Sequence, residues 1–466
     1  MSDFSIAIDA ADQRPAYRQI ADRVRDAIAA GLLRPNDRLP SARSLAAQLA
    51  LARGTVDTAY ALLAGEGYIV GRGPAGTAVA PDLPVPVQRR IAPEAEAPLP
   101  GPPVQGPLPF RLGLPALDMF PRSQWARLTA RAAQQIGPMD LAYPDPTGLP
   151  ALREAIAAYL GVARGIVCQG GGVIVTAGFQ GALALLTHAL LRPGDTAVIE
   201  DPGYFLAREA LAQAGARLVP APVDAAGLDV AAARAAAADT RFVVVTPTHQ
   251  SPMGVALSLP RRLALLEWAE AADAWVIEDD YDSEFRYTGR PLPALKSLDR
   301  AERVLYVGSF SKVLFPGLRL GYLVPPPLLL PRLRAAARTL QAGLPALEQR
   351  VVAGFITDGY FARHLRRMRS LYAARRAALA AALEEVFGDR LAVTLQAGGM
   401  HLLARVADGA PDTELVRRAL AAGLGPAALS QQSMTGHAGD GLLLGFTNVP
   451  EAAAPELARR LAAAIL

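Results

Sequence analysis

Residues 308–322 read GSFSKVLFPGLRLGY and follow the apolar run VLYV, so a strand delivers Lys312 into a loop beside Ser309 and Ser311, with Arg319 seven residues on. Of the 47 lysines and arginines in the chain, only Lys296 and Lys312 are lysine. Where arginine fills nearly every basic position, a retained lysine points to chemistry a guanidinium cannot do. Imine formation is such a chemistry, because arginine is not deprotonated near neutral pH. An imine-forming lysine needs desolvated surroundings that lower its pKa, and hydroxyls with a guanidinium suit a phosphate.

Pyridoxal 5′-phosphate (PLP) meets both demands, and its other requirements appear at other strand ends. Its pyridine nitrogen stays protonated beside a carboxylate. VIEDDYDSEFRY (276–287) offers Asp279 for that task, and Tyr281 for the phenolic oxygen. VIVTAGFQGALALL (173–186) reads as strand, turn and helix, so Gly178, Phe179 and Gln180 present backbone N–H groups to a phosphate. EDPGYF (200–205) supplies Tyr204 or Phe205 to stack on the ring.

The apolar strands VIVT (173–176), AVIE (197–200), FVVVT (242–246) and AWVIED (274–279) alternate with helical stretches, the pattern of a mainly parallel α/β sheet. Beyond about residue 330 come long Ala/Leu/Arg helices and short strands near 391–406 and 442–447. A closing helix from about 451 completes a smaller α+β lobe.

Over about 110–450 these residues resemble the fold-type I, aspartate-aminotransferase-like family. The resemblance implies that Lys312 carries the internal aldimine, that Asp279 pairs with the pyridine nitrogen, and that Ser309, Ser311 and Arg319 bind phosphate. AYPDPTGLPALREAIAAYL (142–160) is similar to a family segment whose tyrosine, here Tyr143, reaches the partner subunit's site, which implies a two-fold homodimer. Two departures stand out. TPTHQSPMG (246–254) leaves His249, Gln250 or Ser251 to replace the family's asparagine near the ring oxygen, and Gln250 is the residue assigned. No arginine lies between Arg418 and Arg459, where the enzymes hold the substrate carboxylate; GLLLGFTNV (441–449) carries leucine and glycine there. His401, in GGMHLL (398–403), either faces a ligand or is a satisfied, partly buried histidine.

In residues 1–80, Ile20, Val24 and Ile28 share a helical face, Ser41 is a favourable N-cap after Pro40, and a third helix from about Gly54 turns Val56, Tyr60 and Leu63 inward. Two short helices with Arg53, Thr55, Asp57 and Thr58 at the exposed start of the second suit a DNA major groove. GYIVGRGPAGTAVA (67–80) reads as a hairpin wing with Arg72 at its tip. GRGPAG within it matches a dinucleotide-binding string, but no strand leads in, Pro74 interrupts and no helix follows. RLPSARSLAAQLALARGTVDTAYALLAGEGYIVGRGPAGTAVA (38–80) resembles the winged helix-turn-helix of GntR-type regulators, with Ala52 where the family carries serine. That resemblance implies DNA contacts from Arg43, Arg53, Thr55, Arg72 and Gly73.

Residues 81–109 contain ten prolines and read as a stiff linker, which divides the chain into 1–80, 81–109 and 110–466. Reader, linker and aminotransferase-like domain, in that order, resemble the MocR-like subfamily of transcriptional regulators. The resemblance implies a homodimer that binds a double-stranded DNA operator and senses an amine, an amino acid or PLP itself through the Lys312 aldimine. A working aminotransferase with a DNA-binding appendage, and a regulator whose large domain is only a dimerisation scaffold, are the alternatives.

Composition is compatible with all three. The chain has 466 residues, 52% hydrophobic and 19% charged, which excludes global disorder. A net charge of +4 argues only weakly for nucleic acid, and the single Cys168 excludes an intrachain disulfide and a Cys-rich zinc module. No apolar run is long enough to span a bilayer and the N-terminus lacks a signal pattern, so the expectation is a soluble, cytoplasmic protein without a metal.

Overall fold

The computed structural model describes residues 6–9, 12, 14–83, 107–407 and 410–466. The chain divides into two compact units, one within residues 1–102 and one within 103–466. The Pro-rich stretch falls mostly on 84–106, outside the described residues.

In the first unit three helices, Ala16–Ala29, Ala42–Gln48 and Arg53–Gly65, enclose a small core. Ile20, Val24, Val56 and Leu63 are fully buried there, as their 3.6-residue spacing requires. The Ser41 side chain accepts from Ser44 N at 3.1 Å and caps the second helix. The third helix starts after Ala52, which offers no side-chain cap. Ile69–Gly71 pairs antiparallel with Thr77–Val79 to form the wing. A third strand, Arg38–Leu39, joins the far side of Thr77–Val79 and has only two residues, too few to show periodicity. A strand does lead into GRGPAG, contrary to expectation, but a 3-10 turn at Gly73–Ala75 and an antiparallel strand follow it in place of a helix.

The second unit is built on an eight-stranded sheet. Its order is Ile174–Thr176, Gly321–Val324, Val304–Ser309, Trp275–Asp280, Phe242–Val245, Thr196–Asp201, Arg217–Asp224 and Gly227–Leu228. The five strands from Val304–Ser309 to Arg217–Asp224 run parallel. Gly321–Val324 runs against both of its neighbours, and Gly227–Leu228 against Arg217–Asp224. Strands Thr196–Asp201, Phe242–Val245 and Trp275–Asp280 are buried along their whole length, since helices cover both faces. Their carboxyl ends open on one side, where ligands bind in open α/β sheets. One crossing there is close: a Cβ on Gly321 would lie 2.8 Å from both Gly178 Cα and Gly308 O, so only glycine fits.

The smaller lobe carries an antiparallel sheet ordered Leu391–Thr394, His401–Val406, Leu442–Gly445 and Ala427–Ala428. It packs under the helices Tyr360–Phe387, Asp412–Ala421 and Ala454–Ile465. Among the described residues no helix is long and apolar enough to cross a membrane.

Candidate functional site

A cleft of about 660 Å3 opens at the carboxyl ends of the parallel strands, between the large sheet and the small lobe. Strand Val304–Ser309 ends at Ser309, and the following turn brings Ser311 and Lys312 to the cleft wall. Strand Trp275–Asp280 delivers Asp279 and then Tyr281. The turn after Thr196–Asp201 adds Tyr204 and Phe205, and the start of helix Gly178–Leu190 adds Phe179 and Gln180. Arg319, held left-handed at φ 53°, closes the ring from the loop before Gly321–Val324. Gly178, at φ +72°, is the first residue of helix Gly178–Leu190 and is not itself among the residues that line the cleft. The parts expected at separate strand ends therefore meet around one cleft.

Electrostatically the cleft favours neutral groups. Burial lowers the pKa of Lys312, against the opposing pull of Asp279 and Asp282. Burial, aided by the neighbouring Asp280, pushes the Asp279 carboxyl well above its usual range. Lys312 Nζ donates to Gly113 O at 3.1 Å, a contact across 199 residues of sequence. Behind Asp279 the next residue faces the other way: Asp280 Oδ2 accepts from Arg164 Nε at 2.7 Å and Tyr306 OH at 2.6 Å. That buried network fixes the strand end that carries Asp279. The second lysine, Lys296, is spent elsewhere, donating to Val304 O at 2.7 Å and lying 3.7 Å from Asp299.

Tyr281 stands against a histidine-carboxylate pair, with His249 Nδ1 2.9 Å from its hydroxyl and 3.1 Å from Asp282 Oδ2. His401 lines the cleft and is also satisfied, since its Nε2 lies 2.8 Å from Pro252 O and must donate to that carbonyl. Burial, together with nearby His249, lowers its pKa to about 4, so the ring is neutral at physiological pH.

Two assigned residues are placed elsewhere. Gln250 turns its amide away from the cleft, donating to Glu200 Oε2 at 3.2 Å and Pro202 O at 2.8 Å, because the buried Glu200 carboxyl needs donors. Ser251, the third of the alternatives, lines the cleft in its place. Tyr143 is 96% exposed and outside the cleft, beside the exposed Met139 and Leu141.

Sequence reasoning missed the 108–113 segment, which contributes Leu108, Arg111, Leu112 and Gly113 to the wall. It is sewn to the small lobe by Gly425 N→Pro109 O and Gly445 N→Phe110 O, both 2.8 Å. Sequence reasoning also missed the clamp at Asp201, which accepts from Met434 N at 2.7 Å and Thr435 N at 3.0 Å and ties the sheet to the 430–436 loop. The aspartate-proline pair at 201–202 was the only visible signal for it.

The place expected to lack a carboxylate-binding arginine is filled. Leu443 is fully buried against Leu403 and Leu429.

In the first unit Arg43 and Arg53 are exposed at the starts of their helices, Thr55 is partly exposed one residue-pair further along, and Arg72 and Gly73 sit at the exposed wing tip. Arg53 Nε lies 3.4 Å from Asp57, and Arg72 donates to the Asn36 side chain.

The donor set fits a phosphorylated pyridine aldehyde. It offers an amine of lowered pKa, a buried carboxyl, an aromatic wall, and hydroxyls, a guanidinium and a helix N-terminus grouped together.

Comparison with known proteins agrees with this geometry. Residues 120–424 match the family described as aminotransferase class I and II, and residues 16–79 match bacterial regulatory proteins of the gntR family. The chain is 38% identical over 448 residues to the probable rhizopine catabolism regulatory protein MocR of Rhizobium meliloti, covering 93% of this chain and 90% of that one. It is 35% identical to the pyridoxine biosynthesis transcriptional regulator PdxR of Corynebacterium glutamicum, covering 96% and 95%. The crystal structure of Pyrococcus horikoshii kynurenine aminotransferase, in complex with PMP, superimposes with a TM-score of 0.70 at 30% identity. It covers 77% of this chain and 90% of that one.

Proposed function

Because the chain belongs to the MocR-type GntR regulators, in which a winged helix-turn-helix is joined to a PLP-dependent aminotransferase-like domain, we propose that it is a PLP-binding transcription factor responding to a small amine. The observation that carries this reading is the convergence of Lys312, Asp279, Ser309, Ser311 and Arg319 on one cleft. PLP supplies an electrophilic aldehyde and a cationic ring. Lys312 would be the residue that holds it, Asp279 would keep a proton at the ring nitrogen, and Tyr281, backed by His249, would orient the phenolic oxygen. Ser309, Ser311, Arg319 and the N–H groups at Gly178–Gln180 take the phosphate, and Tyr204 or Phe205 covers the ring.

A small amine bound in the cleft would alter operator binding if it favoured one arrangement of the lobes over another. Arg43, Arg53, Thr55, Arg72 and Gly73 form the DNA-facing surface of the 1–80 reader, joined by the 81–109 linker to the 110–466 effector domain. The functional unit is a homodimer, in which a second copy covers the exposed Tyr143 segment. The buried Leu443 cluster favours a regulator over an efficient transaminase, since the cation the enzymes use at that place is missing.

The test is an absorption spectrum of the PLP-treated protein before and after borohydride, alongside Lys312→Ala, followed by operator footprinting with and without amine. A visible band lost on reduction in the wild type only, and a footprint that changes with ligand, is the expected result. Absence of the band from both proteins would leave the large domain as a scaffold.

A further inference from the structure

Among the described residues four charged side chains line the cleft: Arg111, Asp279, Lys312 and Arg319. On the cofactor reading above, on which this inference rests, three of them are engaged with PLP. Arg111 is left over. Its guanidinium makes no ion pair or hydrogen bond among the described residues, and its side chain is exposed.

Its backbone is nevertheless firmly held. Phe110, immediately before it, is fully buried in the left-handed region at φ 67°, which few aromatic residues occupy. Gly445 N donates to Phe110 O, Gly425 N to Pro109 O, and Asn448 Nδ2 to Leu108 O at 2.8 Å. A strained backbone secured on three sides presents a free cation to a cleft, and such strain persists where surroundings over-determine it. Two residues on, Gly113 O holds Lys312 Nζ at 3.1 Å. Two residues of chain span at most about 7 Å, so the Arg111 backbone lies close to the reactive amine, and both side chains line the same cleft. Leu112, Leu420, Pro426 and Ala427 make the neighbouring lip apolar, a setting that strengthens a guanidinium-carboxylate pair. The strand opposite offers only the buried Leu443, so no competing cation comes from there.

We infer that Arg111 anchors an acidic group on the ligand, so that the effector is a small primary amine bearing an acidic group, a carboxylate in the simplest case, rather than a simple amine.

The test uses full-length, PLP-loaded wild type, Arg111→Gln and Arg111→Lys, read by the cofactor's absorption. Three matched pairs serve as probes: glycine with methylamine, 3-aminopropanoate with ethylamine, and 4-aminobutanoate with propylamine. In the wild type at least one carboxylated member half-saturates at a concentration about tenfold or more below its partner, the factor a charge-assisted hydrogen bond supplies. Arg111→Gln brings the pair together and Arg111→Lys keeps part of the gap. Equal half-saturation within every pair in the wild type, or a gap that survives in Arg111→Gln, overturns the inference. Failure of the cofactor reading shows itself separately, as wild type without a cofactor band before any amine is added. An unchanged band and melting temperature in Arg111→Gln exclude misfolding.

Discussion

Lys312 Nζ and Gly113 O stand 3.1 Å apart, and a Cβ built on Gly113 would lie 2.2 Å from that nitrogen. The glycine is also left-handed, at φ +70°, so any side chain there is strained as well as obstructive. Gly113→Ala is therefore expected to reduce PLP capture at least tenfold while costing about 1–2 kcal/mol of backbone strain. Borohydride trapping followed by intact-mass measurement reads the capture, and full trapping in Gly113→Ala would show that the lysine has room to move aside.

Arg43→Ala and Arg53→Ala are each expected to weaken DNA binding and to lower the slope of log K against log salt by about 0.9. Ala52→Ser acts in the other direction. Position 52 is the uncapped start of Arg53–Gly65, so a serine there stabilises the reader by about 0.5–2 kcal/mol. Fluorescence anisotropy across a salt series and the melting of the reader measure the two effects.

Burial raises the Glu200 carboxyl to about 7, despite hydrogen bonds from Thr246 and Gln250. Its folded pKa exceeds the unfolded value of about 4.3, so the folded chain retains a proton that the unfolded chain releases. This contribution is full below the unfolded pKa and is lost as pH rises through about 7. Glu278 and Glu284 are raised in the same direction, to about 7. The unfolding free energy of the large unit should fall from pH 5 to pH 8, and Glu200→Gln should flatten that fall by at most about 3 kcal/mol. Calorimetry at four pH values checks it.

Asp201→Ala removes the acceptor for Met434 N and Thr435 N. Those N–H groups lose a charged partner, at a cost of about 1.5–3 kcal/mol per bond where water does not replace it. The 430–436 loop should gain amide exchange while the parallel strands keep theirs, measured by hydrogen–deuterium exchange.

The sequence reveals those site residues that sit at strand ends, since alternation marks the strand and the next residues must face the cleft. Lys312, Asp279, Tyr281, Tyr204 and the start of Gly178–Leu190 are of this kind. Contacts between distant segments leave no such trace. Gly113 meets Lys312 across 199 residues, and its left-handed backbone is visible only in the folded chain. Gln250 has a suitable side chain at a suitable spacing, but the buried Glu200 takes its amide, a competition that no local pattern encodes. In the reader, the capped helix after Ser41 was legible from capping chemistry, whereas Arg38–Leu39 is strand only because Thr77–Val79 lies beside it.

Lys296 is tied to Val304 O and sits beside Asp299, which leaves Lys312 as the lysine amine that faces the cleft. Aldehyde probes followed by reduction then have two lysines to choose between, Lys312 in the cleft and Lys296 held by Val304 O. Site occupancy becomes a counting problem: the mass added per chain is itself the stoichiometry, and a peptide digest needs to distinguish only two places.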